Sequence, residues 1–147
     1  MYRKKNIFVI IGAGIVIVPL IICAILYIVY NRTHTPEKKW NEYVVLLQNK
    51  EYDKMYDLLD STAQAKISRE DFTARNKNIY EGIEAEDIEI SINSVSKSDN
   101  DTIIDYHTKM NTIAGELQFD NSVKIADELG KGRTIKWSSK NIFPGLG

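Results

Sequence analysis

The chain has 147 residues, 19 basic and 20 acidic side chains, and a formal net charge of −1. Arg3, Lys4 and Lys5 stand at the very start, so the remainder of the chain holds 16 basic against 20 acidic residues, a balance that excludes a phosphate-backbone binder and a polybasic lipid-binding face. The single cysteine, Cys23, excludes a disulfide framework and a thiolate metal site.

Residues 1–6 read as a basic cytoplasmic tail. Ile7 to Tyr30 is 24 residues without a charge. As a helix at about 1.5 Å per residue it reaches roughly 36 Å, enough to span a bilayer core that needs about 20 apolar residues. The basic cluster before it and the single firm charge after it, Arg32, put the N-terminus inside and the rest outside. The apolar stretch is too long for a cleaved leader, and Ile28-Val29-Tyr30 is a poor cleavage site. Ile22 stands where acylation at Cys23 needs a small residue. The expectation is an uncleaved signal-anchor in the cell membrane, single-pass, with the bilayer as partner through Ile7–Tyr30. Residues 31–35 form a linker.

Residues 36–147 then make one extracytoplasmic domain. Thr35-Pro36-Glu37 predicts a helix start, and Trp40, Tyr43, Val44 and Leu47 recur at helical spacing until Asn49-Lys50 breaks it. Tyr52, Met55, Tyr56 and Leu59 predict a second, short helix ending at Asp60-Ser61-Thr62. Ser68-Arg69-Glu70-Asp71 predicts a capped start, with Phe72, Asn76, Ile79 and Tyr80 on one face and Gly82 as the stop.

The period then changes to two. Ile88, Ile90 and Ile92 alternate with polar residues, as do Ile104, Tyr106, Thr108 and Met110 after the turn at 97–101. Asn100-Asp101-Thr102 fits a glycosylation acceptor pattern and is read as a polar turn. Leu117, Phe119, Val123 and Ile125 form a third strand, with Asp120-Asn121-Ser122 as a bulge. Residues 127–132 are a hairpin loop, and Thr134–Trp137 is the fourth strand. Three helices followed by a curved antiparallel sheet of about four strands is an α+β domain.

Four stretches together carry a resemblance. They are Asn49-Lys50-Glu51-Tyr52-Asp53-Lys54-Met55-Tyr56, Asn78-Ile79-Tyr80-Glu81-Gly82-Ile83, Ala85-Glu86-Asp87-Ile88-Glu89-Ile90, and Ile135-Lys136-Trp137-Ser138-Ser139-Lys140-Asn141-Ile142-Phe143-Pro144-Gly145-Leu146. They resemble the NTF2-like N-terminal domain of MecA-type class B penicillin-binding proteins of Gram-positive bacteria. The resemblance implies a non-catalytic spacer behind a signal-anchor, lifting a D,D-transpeptidase towards peptidoglycan, with an association with beta-lactam response. It implies a transpeptidase domain or cell-wall synthesis proteins as partners, no cofactor and no nucleic acid. The family continues into a further domain where this chain stops, so the chain reads either as a fragment or as a freestanding membrane-anchored binding or sensor module.

The chemistry-bearing residues add little. Ser94-Val95-Ser96-Lys97 spells Ser-x-x-Lys, but it lies at a strand end leading into a polar turn, and no Lys-Ser/Thr-Gly partner exists in the chain. His34 and His107 lie too far apart to predict a metal site. Gly130-Lys131-Gly132 lacks the strand–loop–helix setting of a phosphate loop. The acids fall mostly on the polar phase of strands and helices, so no pocket carboxylate is nominated as an acid–base group. Trp137, Ile142, Phe143, Pro144 and Gly145 are the candidate residues for a seam with a following domain, unless they pack back onto the sheet.

Overall fold

The structure, a computed structural model, describes residues 17–30 and 34–142. The chain forms two compact units, Met1–Thr35 and Pro36–Gly147.

In the first unit residues 17–30 are helical (α1), and every side chain of that helix is exposed. Residues 7–16 of the expected span lie outside the described residues. No helix among the described residues is long and apolar enough to cross a membrane.

The second unit opens with α2 (Pro36–Gln48), which buries Trp40, Tyr43, Val44 and Leu47, the stripe its spacing predicts. Its end is a Schellman closure: the Glu51 amide donates to the Leu46 carbonyl at 2.8 Å and the Lys50 amide to Leu47 at 3.0 Å. The left-handed residue is Lys50, at φ 58°.

The next stretch departs from expectation. In place of one helix over 52–59 there is α3 (Tyr52–Met55), a 3-10 turn (Tyr56–Leu58), and then α4 (Ser61–Lys66). Leu59 turns extended to form a parallel bridge with Ile135, and the Asp60 amide donates to the Ile135 carbonyl at 2.9 Å. That pull ends the helix early. Asp60, expected as a helix end, caps α4 instead by accepting from the Ala63 amide at 2.9 Å. The domain therefore has four α-helices before its sheet among the described residues, not three.

Ser68 caps α5 (Arg69–Gly82) by accepting from the Asp71 amide at 3.0 Å, as its spacing predicts. Gly82 ends the helix but is not the left-handed residue. Glu84 takes that role at φ 51°, with Ala85 donating to the Tyr80 carbonyl at 2.8 Å. Arg69 ties this helix to the 3-10 turn through Asp57, and its guanidinium lies 4.7 Å from the centre of the Tyr56 ring. The arginine holds the Asp57 carboxyl below the ordinary carboxylate value.

The sheet is an antiparallel meander of β1 (Glu86–Ser98), β2 (Asp101–Thr112), β3 (Gly115–Glu128) and β4 (Gly132–Lys136), in that order. Ile104, Tyr106, Thr108 and Met110 are buried on the helix side, as their alternation predicts. The expected bulge at Asp120-Asn121-Ser122 is absent, since β3 pairs with β2 in unbroken register there. Asn121 instead occupies an inward position between Phe119 and Val123. The extra residues sit in β1, between Glu86 and Glu89 and between Ile92 and Ser94.

Aromatic side chains fill the space between helices and sheet. Trp40 stacks on Tyr43 at 5.2 Å and lies 4.6 Å from Tyr106, while Phe72 meets Trp137 edge-on at 5.1 Å.

Candidate functional site

The chain leaves the sheet at Lys136, and the next six residues form the most built feature of the domain. Trp137 is half-buried against Phe72. Ser138 then caps a 3-10 turn (Ser139–Asn141), its own amide donating to Asn141 Oδ1 at 2.7 Å. Three bonds from other elements hold this turn. Asn121 of β3 donates to the Lys140 carbonyl at 2.5 Å, and Asn141 Nδ2 donates to the Ser122 carbonyl at 3.2 Å. Tyr80 of α5 donates its hydroxyl to the Ile142 carbonyl at 3.2 Å, and Ile142 itself is 1% exposed.

Three buried phenols lie under this turn. Burial pushes Tyr106 up to about 12, with the nearby Asn141 and Asn121 side chains pulling the other way. Tyr80 is raised by burial and by its neighbours Tyr106 and Tyr52. Burial raises Tyr43 well above its ordinary value, Tyr80 and Tyr106 add to this, and the Trp137 indole opposes it. Neutral hydroxyls, not phenolates, therefore populate this site at ordinary pH.

Beside the exit turn lies an open groove of about 680 Å³. Ile67, Ile79 and Trp137, with Ala63 and Ala74, give it an apolar lining. Lys66, Arg75 and Asp71 supply its charges, and Asn78, Ser138 and Ser139 its remaining polar edge. A second recess of about 250 Å³ gathers Asp60, Asp101, Asp127 and Glu128 with Lys136. There Lys136 bonds Asp101 at 2.7 Å, and Glu128 accepts from the Ser61 amide at 3.2 Å. Among the described residues no group of three or more His, Cys, Asp or Glu side chains could hold a metal ion.

Of the five seam candidates, Trp137 lines the groove and Ile142 is packed in the domain's own core. Phe143, Pro144 and Gly145 lie outside the described residues. Tyr80 lies on the buried face its spacing predicts, but its bond to the turn, and those of Asn121 and Asn141, were missed in the sequence. Two signals could have found them: Asn121 is a polar residue in the apolar phase of a strand, and Ser138 to Asn141 has capping-box spacing.

The Ser-x-x-Lys match dissolves in the geometry. On β1 Ser94 pairs with Asp105 and Lys97 with Thr102, positions that lie on opposite faces of the sheet. Ser94 donates its hydroxyl to the Asp105 carboxylate at 2.6 Å, and Lys97 lies on the other face of the sheet, away from it. His107 lies on the same outer face, its Nδ1 2.9 Å from Asp120 Oδ1.

Residues 35–147 match the family MecA_N, the NTF2-like N-terminal transpeptidase domain. The chain is similar to penicillin-binding protein 3 of Bacillus subtilis (strain 168), 30% identical over 125 residues. That alignment takes in 79% of this chain and 18% of the relative, so the chain spans under a fifth of that protein's length. Among solved structures it is similar to a SEC-C motif containing protein from Rhodopseudomonas palustris, with a TM-score of 0.55 at 10% identity, covering 71% of this chain and 77% of that one. At that identity the likeness concerns the fold alone.

Proposed function

The chain belongs to the NTF2-like N-terminal transpeptidase domain family, and from this we propose that it is the membrane anchor and non-catalytic spacer of a penicillin-binding protein. Its work is to hold a D,D-transpeptidase at a set place over the membrane for peptidoglycan cross-linking, the reaction beta-lactams block. One observation carries the reading: the exit turn 138–142 is bonded to α5 and to β3 at once. A spacer must pass its own orientation to the next domain, and a loose exit would lose it. Each of those hydrogen bonds fixes the direction of the departing chain as well as contributing about 0.5–1.5 kcal/mol.

Two further points agree. Trp40, Tyr43, Phe72 and Tyr106, each at most 2% exposed, fill the space between helices and sheet. At the other end, the uncharged run Ile7–Tyr30 suits a single pass with the N-terminus cytoplasmic. The exposed apolar side chains of α1 are those a lipid surrounding would cover.

Native membranes test this directly. An antibody to the domain, together with a fluorescent penicillin, is expected to mark one membrane-bound polypeptide well above 16.8 kDa. An unlabelled band at 16.8 kDa would establish a freestanding envelope module instead. Recovery in the soluble fraction would sink the anchor.

A further inference from the structure

We infer that the groove between α4, α5 and the exit turn is the seat for an acidic, apolar-tipped segment of the domain that comes after this one in a longer polypeptide. This rests on the spacer reading and adds to it a surface and a partner chemistry.

Charge comes first. The chain beyond its basic start is acidic, yet the groove carries Lys66 and Arg75 against Asp71 alone. Neither cation makes an ion pair among the described residues, and both side chains are exposed. Two unpaired cations beside an apolar lining are complementary to carboxylates flanking an apolar side chain. Trp137 sharpens the point. It meets Phe72 edge-to-face and also lines the groove. Tryptophan and arginine are the side chains that most often anchor interfaces.

Position comes second. Ser138 and Ser139 form one edge of the groove, and both belong to the held turn that ends at Ile142. A following domain would be tethered through this turn, next to the groove. A short tether gives effective concentrations of about millimolar, so a weak contact suffices to dock it. A volume of about 680 Å³ takes a helix end or loop tip bearing several side chains.

Cysteine labelling reads this out: Cys23 is the only thiol among the 147 residues and Cys23→Ser removes it, and any cysteine elsewhere in the longer polypeptide is replaced likewise. Asn78→Cys places a thiol in the groove, and Lys77→Cys places one on the exposed face of α5 outside it. Maleimide is expected to modify both at similar rates in the 147-residue chain. In the membrane-bound polypeptide Asn78→Cys should slow about tenfold, with Lys77→Cys unchanged, since labelling tracks the open population. Adding Lys66→Glu and Arg75→Glu should restore the rate. Equal labelling of both thiols in a longer, penicillin-marked polypeptide overturns the groove and leaves the spacer standing. Protection that survives the charge reversal overturns the acidic partner. A native polypeptide of 16.8 kDa removes both readings together.

Discussion

Lys50 and Glu84 close helices in the left-handed conformation, at φ 58° and 51°. A side chain there costs about 1–2 kcal/mol that glycine avoids, and glycine returns part of that as chain entropy. Both side chains are exposed and neither makes a bond that would be lost. Lys50→Gly and Glu84→Gly are each expected to raise stability by about 0.5–1 kcal/mol, read as a higher urea midpoint at unchanged slope. A lowered midpoint would mean that the side chains do something the contacts do not reveal. The end of α5 was half legible. Gly82 marks it by composition, but the turn is set two residues later because Ala85, 2% exposed, packs back and donates to Tyr80. A methyl group's burial outranked glycine's freedom.

At the scale of elements, the strands were the readable part. The alternation in β2 needs only a period of two and one buried face, so Ile104, Tyr106 and Met110 fall where the pattern puts them. The second helix was not readable. Its break at Leu59 is made by Ile135, a residue 76 positions away, and no local signal records a bridge of that span. Asp60 looks the same whether it ends one helix or starts another. The exit turn was missed for a related reason: its bonds join α5, β3 and the segment after β4. Tyr80→Phe tests it. Loss of the hydroxyl from the Ile142 carbonyl should cost about 1 kcal/mol. Amide exchange should speed at Asn141 and Ile142 while β2 keeps its protection. Unchanged exchange there would mean that Asn121 and Asn141 hold the turn alone.

The molecule as a whole stakes its stability on phenols kept neutral. Tyr43, Tyr80 and Tyr106 all titrate above the ordinary 10.0 in the folded state. An acid whose folded value is raised contributes stability that is fully present below the unfolded value and is lost as pH rises through the folded one. The domain should therefore hold its stability up to about pH 10 and lose it progressively from there towards and past pH 12. Tyrosinate absorbance and circular dichroism recorded together check this. The buried phenols should ionise only as the fold is lost. Three phenols titrating near 10 in a fully folded domain would contradict the packing.

The bridge from Leu59 to Ile135 has a mechanical consequence. β4 pairs with β3 on one side over five residues and is bridged by Leu59 on the other. Hydrogen bonds in such a ladder run across the strands. Tension drawn along β4 would therefore load its flanking bonds in shear, sharing the force among them instead of unzipping them in turn. Ahead of that, the turn at 138–142 takes up the pull through its bonds to α5 and β3. A strand gripped from both flanks behaves as a tendon insertion, suited to bearing load drawn along its length.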